Sequence, residues 1–319
     1  MQETTQSIGT EELALGPWKL QIHRENLIVS ETEKEVLSDV ALRWAKIFPN
    51  DPKTLSHEAF SVPSVLIRFD YVVVDGTISI YEVEDRPAFL AIGSLINWQF
   101  GEKLADCIDG IRKHLCRPVS ILVSPSRLHN SDDLLFCKEV PLPIFDGVAS
   151  DIAELPADAA LIVRSDRHES DYWHLEPRSL STVSKEGWKG YGVPLGLWEP
   201  VSPEGVDYNS AFVVKPEYGC RSSDVLLFHP ERNSKGKYGF STRTAIQNAV
   251  DTGRVKYVQP YAEPEHHDFL GQNYFLIRRV YFGFDPASGT YACLGGVYMA
   301  RTCAKVHGSS DAVTGCVMV

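Results

Sequence analysis

Arg68, Asp70, Glu82 and Glu84 lie on two β-rich runs, residues 65–74 and 77–84, joined by Asp75-Gly76. Runs of that composition around a glycine turn predict a β-hairpin. Side chains directly opposite one another on an antiparallel pair share a face. A three-residue loop, Asp75-Gly76-Thr77, sets Asp70 against Glu82 and Arg68 against Glu84. One face then carries Arg68, Asp70, Glu82 and Glu84, and the other Phe69, Tyr71, Val73, Tyr81 and Val83. A two-residue loop would shift the register by one and send Glu82 into the apolar set. An odd loop is therefore expected. Three clustered carboxylates repel unless a cation sits among them, and such oxygen donors suit Mg²⁺ shared with phosphates. Arg68 has the planar fork that grips a phosphoryl group. The same hairpin also reads as a solvated edge whose charges make surface pairs.

A second concentration of chemistry begins at Lys215. Residues 212–215 form an apolar strand ending in that lysine, and Gly219, Ser222 and Ser223 follow in a small-residue loop. A lysine on a buried strand is costly unless it meets an anion, and small residues let backbone N–H groups approach phosphate. A snorkelling edge lysine is the plainer alternative. Lys189, in Gly187-Trp188-Lys189-Gly190, offers a further cation, and Gln259 lies on a strand running into Pro260. Arg278 and Arg279 alternate faces on one strand, so one is expected at the site and the other in solvent. His266-His267-Asp268 reads as a solvated loop, since neighbouring side chains on an extended segment diverge. Cys220 reads as a small loop residue.

The elements that must carry these groups are legible in outline. Ser30-Glu31-Thr32-Glu33 is a capping box, and Val36, Leu37, Val40, Ala41, Trp44 and Ile47 follow at helical spacing to about Phe48, where Pro49 stops the helix. Leu104, Cys107, Ile108, Ile111 and Leu115 mark another helix. Residues 119–123 and 159–163 read as buried strands of an α/β layer. In the second half, strands are expected at 211–215, 224–228, 257–261, 274–284 and 290–301, with a helix over 242–251 ending at Gly253. The fold class is α/β or α+β. Residues 1–16 read as a loose leader, 17–183 as the hairpin with an α/β subdomain, and 184–319 as the second subdomain.

The 319 residues carry 42 acidic and 31 basic side chains, a formal charge of −11. That field disfavours nucleic acid and anionic membranes. No stretch reaches the length and apolarity of a membrane span. Seven cysteines at irregular spacing form no zinc motif and fit a reducing cytoplasm. A homodimer is the default expectation for a soluble enzyme.

Together these pieces resemble the circularly permuted ATP-grasp superfamily, the glutathionylspermidine synthetase-like group, over roughly residues 60–319. Arg68-Phe69-Asp70 looks like the family's Arg-Phe-Asp strand, and Glu82-Val83-Glu84 like its Glu-x-Asn pair, with glutamate in place of asparagine. Lys215-Pro216 with Gly219 and Arg221 is similar to the Lys-Pro-x-x-Gly-Arg segment. Residues 295–301 and 307–310 look like the late arginine-bearing strand and loop, which makes Arg301 the arginine of interest.

The resemblance implies antiparallel sheets sandwiching ATP, with Mg²⁺ on Asp70, Glu82 and Glu84. It implies phosphate contacts from Lys189 and Lys215 with the loop of Gly219, Ser222 and Ser223, and places Gln259 at the adenine hinge. Arg68 and Arg301 become the catalytic arginines, and residues 233–238 a candidate lid. The implied activity is a carboxylate–amine ligation through an acyl phosphate, with small-molecule acid and amine substrates. A phosphotransferase of related fold and a binding module without turnover are the alternatives.

Overall fold

The computed structural model describes residues 10–15, 18–45, 66–84, 87, 89–115, 119–123, 144–146, 160–164, 199–200, 206–216, 225–232, 239–269, 271–306 and 312–319. Along the chain these form β1 (Thr10–Leu15), β2 (Trp18–His23), β3 (Leu27–Ile28), α1 (Glu31–Ala45), β4 (Leu66–Val74), β5 (Thr77–Glu84), α2 (Leu90–Ile96), α3 (Trp98–Leu115), β6 (Val119–Val123), β7 (Ile144–Asp146), β8 (Ala160–Arg164), β9 (Glu199–Pro200), β10 (Phe212–Lys215), β11 (Leu226–Phe228), α4 (Arg243–Asp251), β12 (Tyr257–Pro260), β13 (Glu265–Phe269), β14 (Gln272–Asp285), β15 (Thr290–Arg301) and β16 (Val313–Met318).

The class is mixed α+β. A large sheet runs β1-β2-β16-β15-β14-β4-β5, with β13 also on β14 and β3 on β16; a second sheet runs β11-β10-β12-β9, and β7-β6-β8 form a third. Pairing is antiparallel in the second sheet and parallel in the third. In the large sheet only β16 pairs parallel, with β2 and β3. Residues 10–15, expected in a loose leader, are instead an edge strand registered on β2. The large sheet also draws strands from both sides of residue 184, because the β4–β5 hairpin docks on β14.

Each face of the large sheet has its own core. On one face α1 lays Leu37, Val40 and Ala41 against Phe69, Tyr71, Val280 and Phe282. The capping box closes as expected: Glu33 N donates to Ser30 Oγ at 3.2 Å, and Ser30 N donates to Glu33 Oε2 at 2.8 Å. The other carboxylate oxygen, Glu33 Oε1, accepts from Tyr71 Oη and from Arg278 Nη1, each at 2.8 Å. Arg278 is thus paired under α1 rather than exposed.

The opposite face is covered twice. At one end α2 and α3 pack on it, with Phe100 stacked on Tyr281 at 4.6 Å. At the other end Val213 and Leu227 of the second sheet meet Phe275 and Ile277 in a shared apolar cluster. The charged residues of the hairpin fall where these two covers meet.

Candidate functional site in the cleft between the two larger sheets

The hairpin pairs Arg68 with Glu84 and Asp70 with Glu82, the register that an odd loop predicts, but by another route. The turn is the two-residue Asp75-Gly76, with φ of 49° and 75°, the left-handed pair that a type I′ turn requires. The odd residue lies further down, in a bulge. Val74 pairs with Thr77 and Tyr71 with Ile80, so Tyr81 is extra before Asp70 meets Glu82. The bulge corrects one expectation. Tyr81 does not join Phe69, Tyr71 and Val83 on the α1 face but packs with the cluster on the cleft side.

The bulge also frees backbone groups for the second sheet. Gln259 Nε2 donates to the Ile80 carbonyl at 2.9 Å, Lys215 Nζ donates to the Tyr81 carbonyl, and Tyr81 Oη donates to the Ala262 carbonyl. The two sheets are latched at one irregular point of an edge strand. Beside that latch opens a cleft. Its apolar walls include Val213, Leu227, Ile277 and Val306. Its charged lining is Asp70 and Glu82, with Lys215, Arg279 and Lys305.

Arg68 shares the face but not the cleft. It is 2% exposed and lies beside Tyr281. Its Nε donates to Asp70 Oδ1 at 2.8 Å, and its Nη2 donates to Glu84 Oε1 at 2.6 Å and to Asp70 Oδ2 at 3.3 Å. Burial opposes a charge there, yet Asp70 and then Glu84 hold the guanidinium's pKa well above its ordinary value. Glu84 is therefore engaged with Arg68. Arg279 pairs with Asp70 across β14 and β4 and brings Nε to 3.1 Å from Asp70 Oδ2, an ion pair without hydrogen-bond alignment.

Glu82 lines the cleft and is exposed to water there. Partial desolvation by the surrounding protein first, then Glu84 and Asp70, raises its carboxyl above the usual range; Lys215 and Arg68 offset only part. A carboxylate crowded by its own kind invites a cation. Among the described residues no three His, Cys, Asp or Glu side chains converge as metal ligands. Mg²⁺ shared with phosphates needs only one or two protein carboxylates, and Asp70 and Glu82 fit that requirement.

Of the residues singled out from sequence, Asp70, Glu82, Lys215, Gln259 and Arg279 come together in the cleft lining. Gln259 Nε2 bonds the Ile80 carbonyl. Arg301 does not line the cleft; its Nη1 donates to the Lys305 carbonyl at 2.8 Å. Lys189, Gly219, Cys220, Ser222, Ser223, His307 and residues 233–238 lie outside the described residues. His266 and His267 are on β13, not in a loop, and bond Glu263 and Glu265. Tyr81, Tyr261 and Lys305 are cleft residues that the sequence reading did not single out. Only the position of Tyr81, two places before Val83 on a strand, carried a signal, and the bulge reversed its meaning.

No family model matches the chain, and no curated protein matches it. Among solved structures, a protein of Methylobacillus flagellatus KT provisionally named a gamma-glutamylcysteine synthetase aligns over 87% of this chain and 84% of its own, with a TM-score of 0.40 and 10% identity. A likeness of that size assigns neither fold nor activity. No described helix is long and apolar enough to cross a membrane.

Proposed function

We propose that the cleft binds ATP with Mg²⁺ and that the protein is an ATP-dependent carboxylate–amine ligase of the permuted ATP-grasp type. One observation carries this reading: Asp70 and Glu82 on the large sheet and Lys215 on the second sheet line one cleft, with Arg279 and Lys305. Carboxylates and cations lining one cleft suit a polyphosphate bridged by a divalent metal, and the apolar walls suit a flat base.

In this reading Asp70 and Glu82 would hold Mg²⁺, which would supply positive charge against the phosphates. Lys215 and Arg279 fix the phosphates for in-line transfer, the kind of positioning on which phosphoryl transfer depends. The acid's oxygen bonds the γ-phosphorus as the bond to ADP breaks; the amine then displaces phosphate from the acyl phosphate and its proton leaves on that phosphate, giving an amide, ADP and hydrogen phosphate. Arg68, held behind Asp70 and Glu84 by hydrogen bonds to both, aims these carboxylates rather than touching the reacting group.

The test is calorimetric titration of a non-hydrolysable ATP analogue, with and without Mg²⁺, on the natural protein and Asp70→Asn. Mg²⁺-dependent binding that the variant loses supports the reading, and acid–amine pairs can then be screened for ADP release. Asp70 is already flanked by Arg68 and Arg279, which favours a second reading, an anion-binding module that needs no metal. Binding that ignores both Mg²⁺ and Asp70→Asn would select that module.

A further inference from the structure

Resting on the ATP–Mg²⁺ reading of the cleft, we infer that the turn after β15 is a built phosphate grip, in which Lys305 contacts the ligand's anionic group and Arg301 is a positioning residue. The turn is fastened at several points. Ala304 and Val306, 2% and 9% exposed, bury in the apolar cluster that joins the two sheets, and Lys305 stands between them on the cleft wall. Arg301 Nη1 donates to the Lys305 carbonyl at 2.8 Å, and Cys303 Sγ donates to the same oxygen at 3.6 Å.

Gly239 closes the turn from the other side. It sits at φ 82°, and a Cβ there would lie 3.1 Å from Lys305 N and 3.2 Å from Lys305 Cβ. Gly239 adjoins Phe240, which bridges to Leu227 on β11, and Ser241 N donates to the Leu227 carbonyl at 2.7 Å. A turn leaving the large sheet is thereby seated on the second sheet.

This amount of fixation is uncommon for a lysine at a rim, where the chain usually floats in water. Here the backbone of the lysine is held by an arginine, a thiol and a glycine contact, so the side chain starts from a fixed point on the cleft wall. With Lys305, the cleft lining carries three cations against two carboxylates. A polyphosphate needs that surplus.

The test uses the full chain, two probes and a built-in reporter. The probes are the non-hydrolysable ATP analogue with Mg²⁺ and inorganic tripolyphosphate. Lys305→Met is expected to bind both about 10- to 100-fold more weakly, the range for one lost charged hydrogen bond, with an unchanged melting temperature. Arg301→Met is expected to weaken both in the same direction, with Arg301→Lys recovering part.

Because Cys303 shares the Lys305 carbonyl, its alkylation by iodoacetamide, followed peptide by peptide in a mass spectrometer, reads the turn directly. It should be faster in Arg301→Met and slower when the natural protein is saturated with the analogue. Natural affinity in Lys305→Met would overturn the grip and leave the ligase reading standing. Weakening toward the analogue but not toward tripolyphosphate would overturn the assignment to phosphate. No binding of either probe by the natural protein would overturn both readings together.

Discussion

Replacing Arg68 with methionine isolates the group that organises the hairpin's charged face. The substitution keeps most of the side-chain volume and removes the charge. It leaves Asp70, with a side chain 7% exposed, and Glu84, 27% exposed, without the guanidinium that both now share. Removing one partner of a buried ion pair costs roughly 3–5 kcal/mol, most of it from the charge left behind. Two features place Arg68→Met at the lower end of that range. Asp70 keeps Arg279 at 3.1 Å, and Glu84 has enough water to screen part of its charge. The expected loss is about 3 kcal/mol, read as a lower guanidinium midpoint at unchanged slope.

Arg68→Met combined with Glu84→Gln removes one of the orphaned charges and should return about 1 kcal/mol, a coupling typical of residues in direct contact. A loss below about 1 kcal/mol in the single variant, with analogue affinity falling instead, would refute the argument. It would make Arg68 a ligand contact rather than the support of two carboxylates.

Three further outcomes follow from the geometry. Glu82 has a carboxyl pKa above its ordinary 4.5, so between 4.5 and the raised value the native chain binds more protons than the unfolded one. Its contribution to stability is present at low pH and is lost as pH rises through that window; Glu82→Gln should be more stable than the natural protein at pH 7 without ligand, and urea midpoints with the same pH slope in both would contradict this. Gly296→Ala puts a Cβ 2.1 Å from the Arg279 carbonyl; the β14–β15 pair must part, at about 3 kcal/mol or more, and an unchanged melting temperature would show that the strands have slack. Ser30→Ala loses the cap bond to Glu33 N and should cost about 1 kcal/mol, measurable by the same denaturation; no loss would mean that the Tyr71 and Arg278 bonds hold Glu33 and the helix start unaided.

What could be seen from sequence was set by the range of the interactions involved. The α1 start was legible because a capping box is a four-residue event, and Ser30 and Glu33 satisfy each other as their spacing requires. β14 and β15 were legible because both are long, β-rich and separated by a turn. Residues 10–15 were not, because an edge strand beside Trp18–His23 exists only once β16, from the far end of the chain, supplies the sheet. Arg278 was misplaced for the same reason: its partner Glu33 lies 245 residues away.

The hairpin shows how a local rule can give the right register for a wrong cause. Charge alternation demanded that Asp70 face Glu82, and the chain met that demand with a bulge at Tyr81 rather than a longer turn. The difference has a consequence for the site. A three-residue turn would have left a regular edge strand, with its carbonyls in ordinary alternation. The bulge instead leaves Ile80 and Tyr81 carbonyls for Gln259 and Lys215, and these bonds hold the second sheet against the first. The irregularity that aligns the carboxylates therefore also brings the lysine strand to them, so the cleft and its charges arise from one inserted residue.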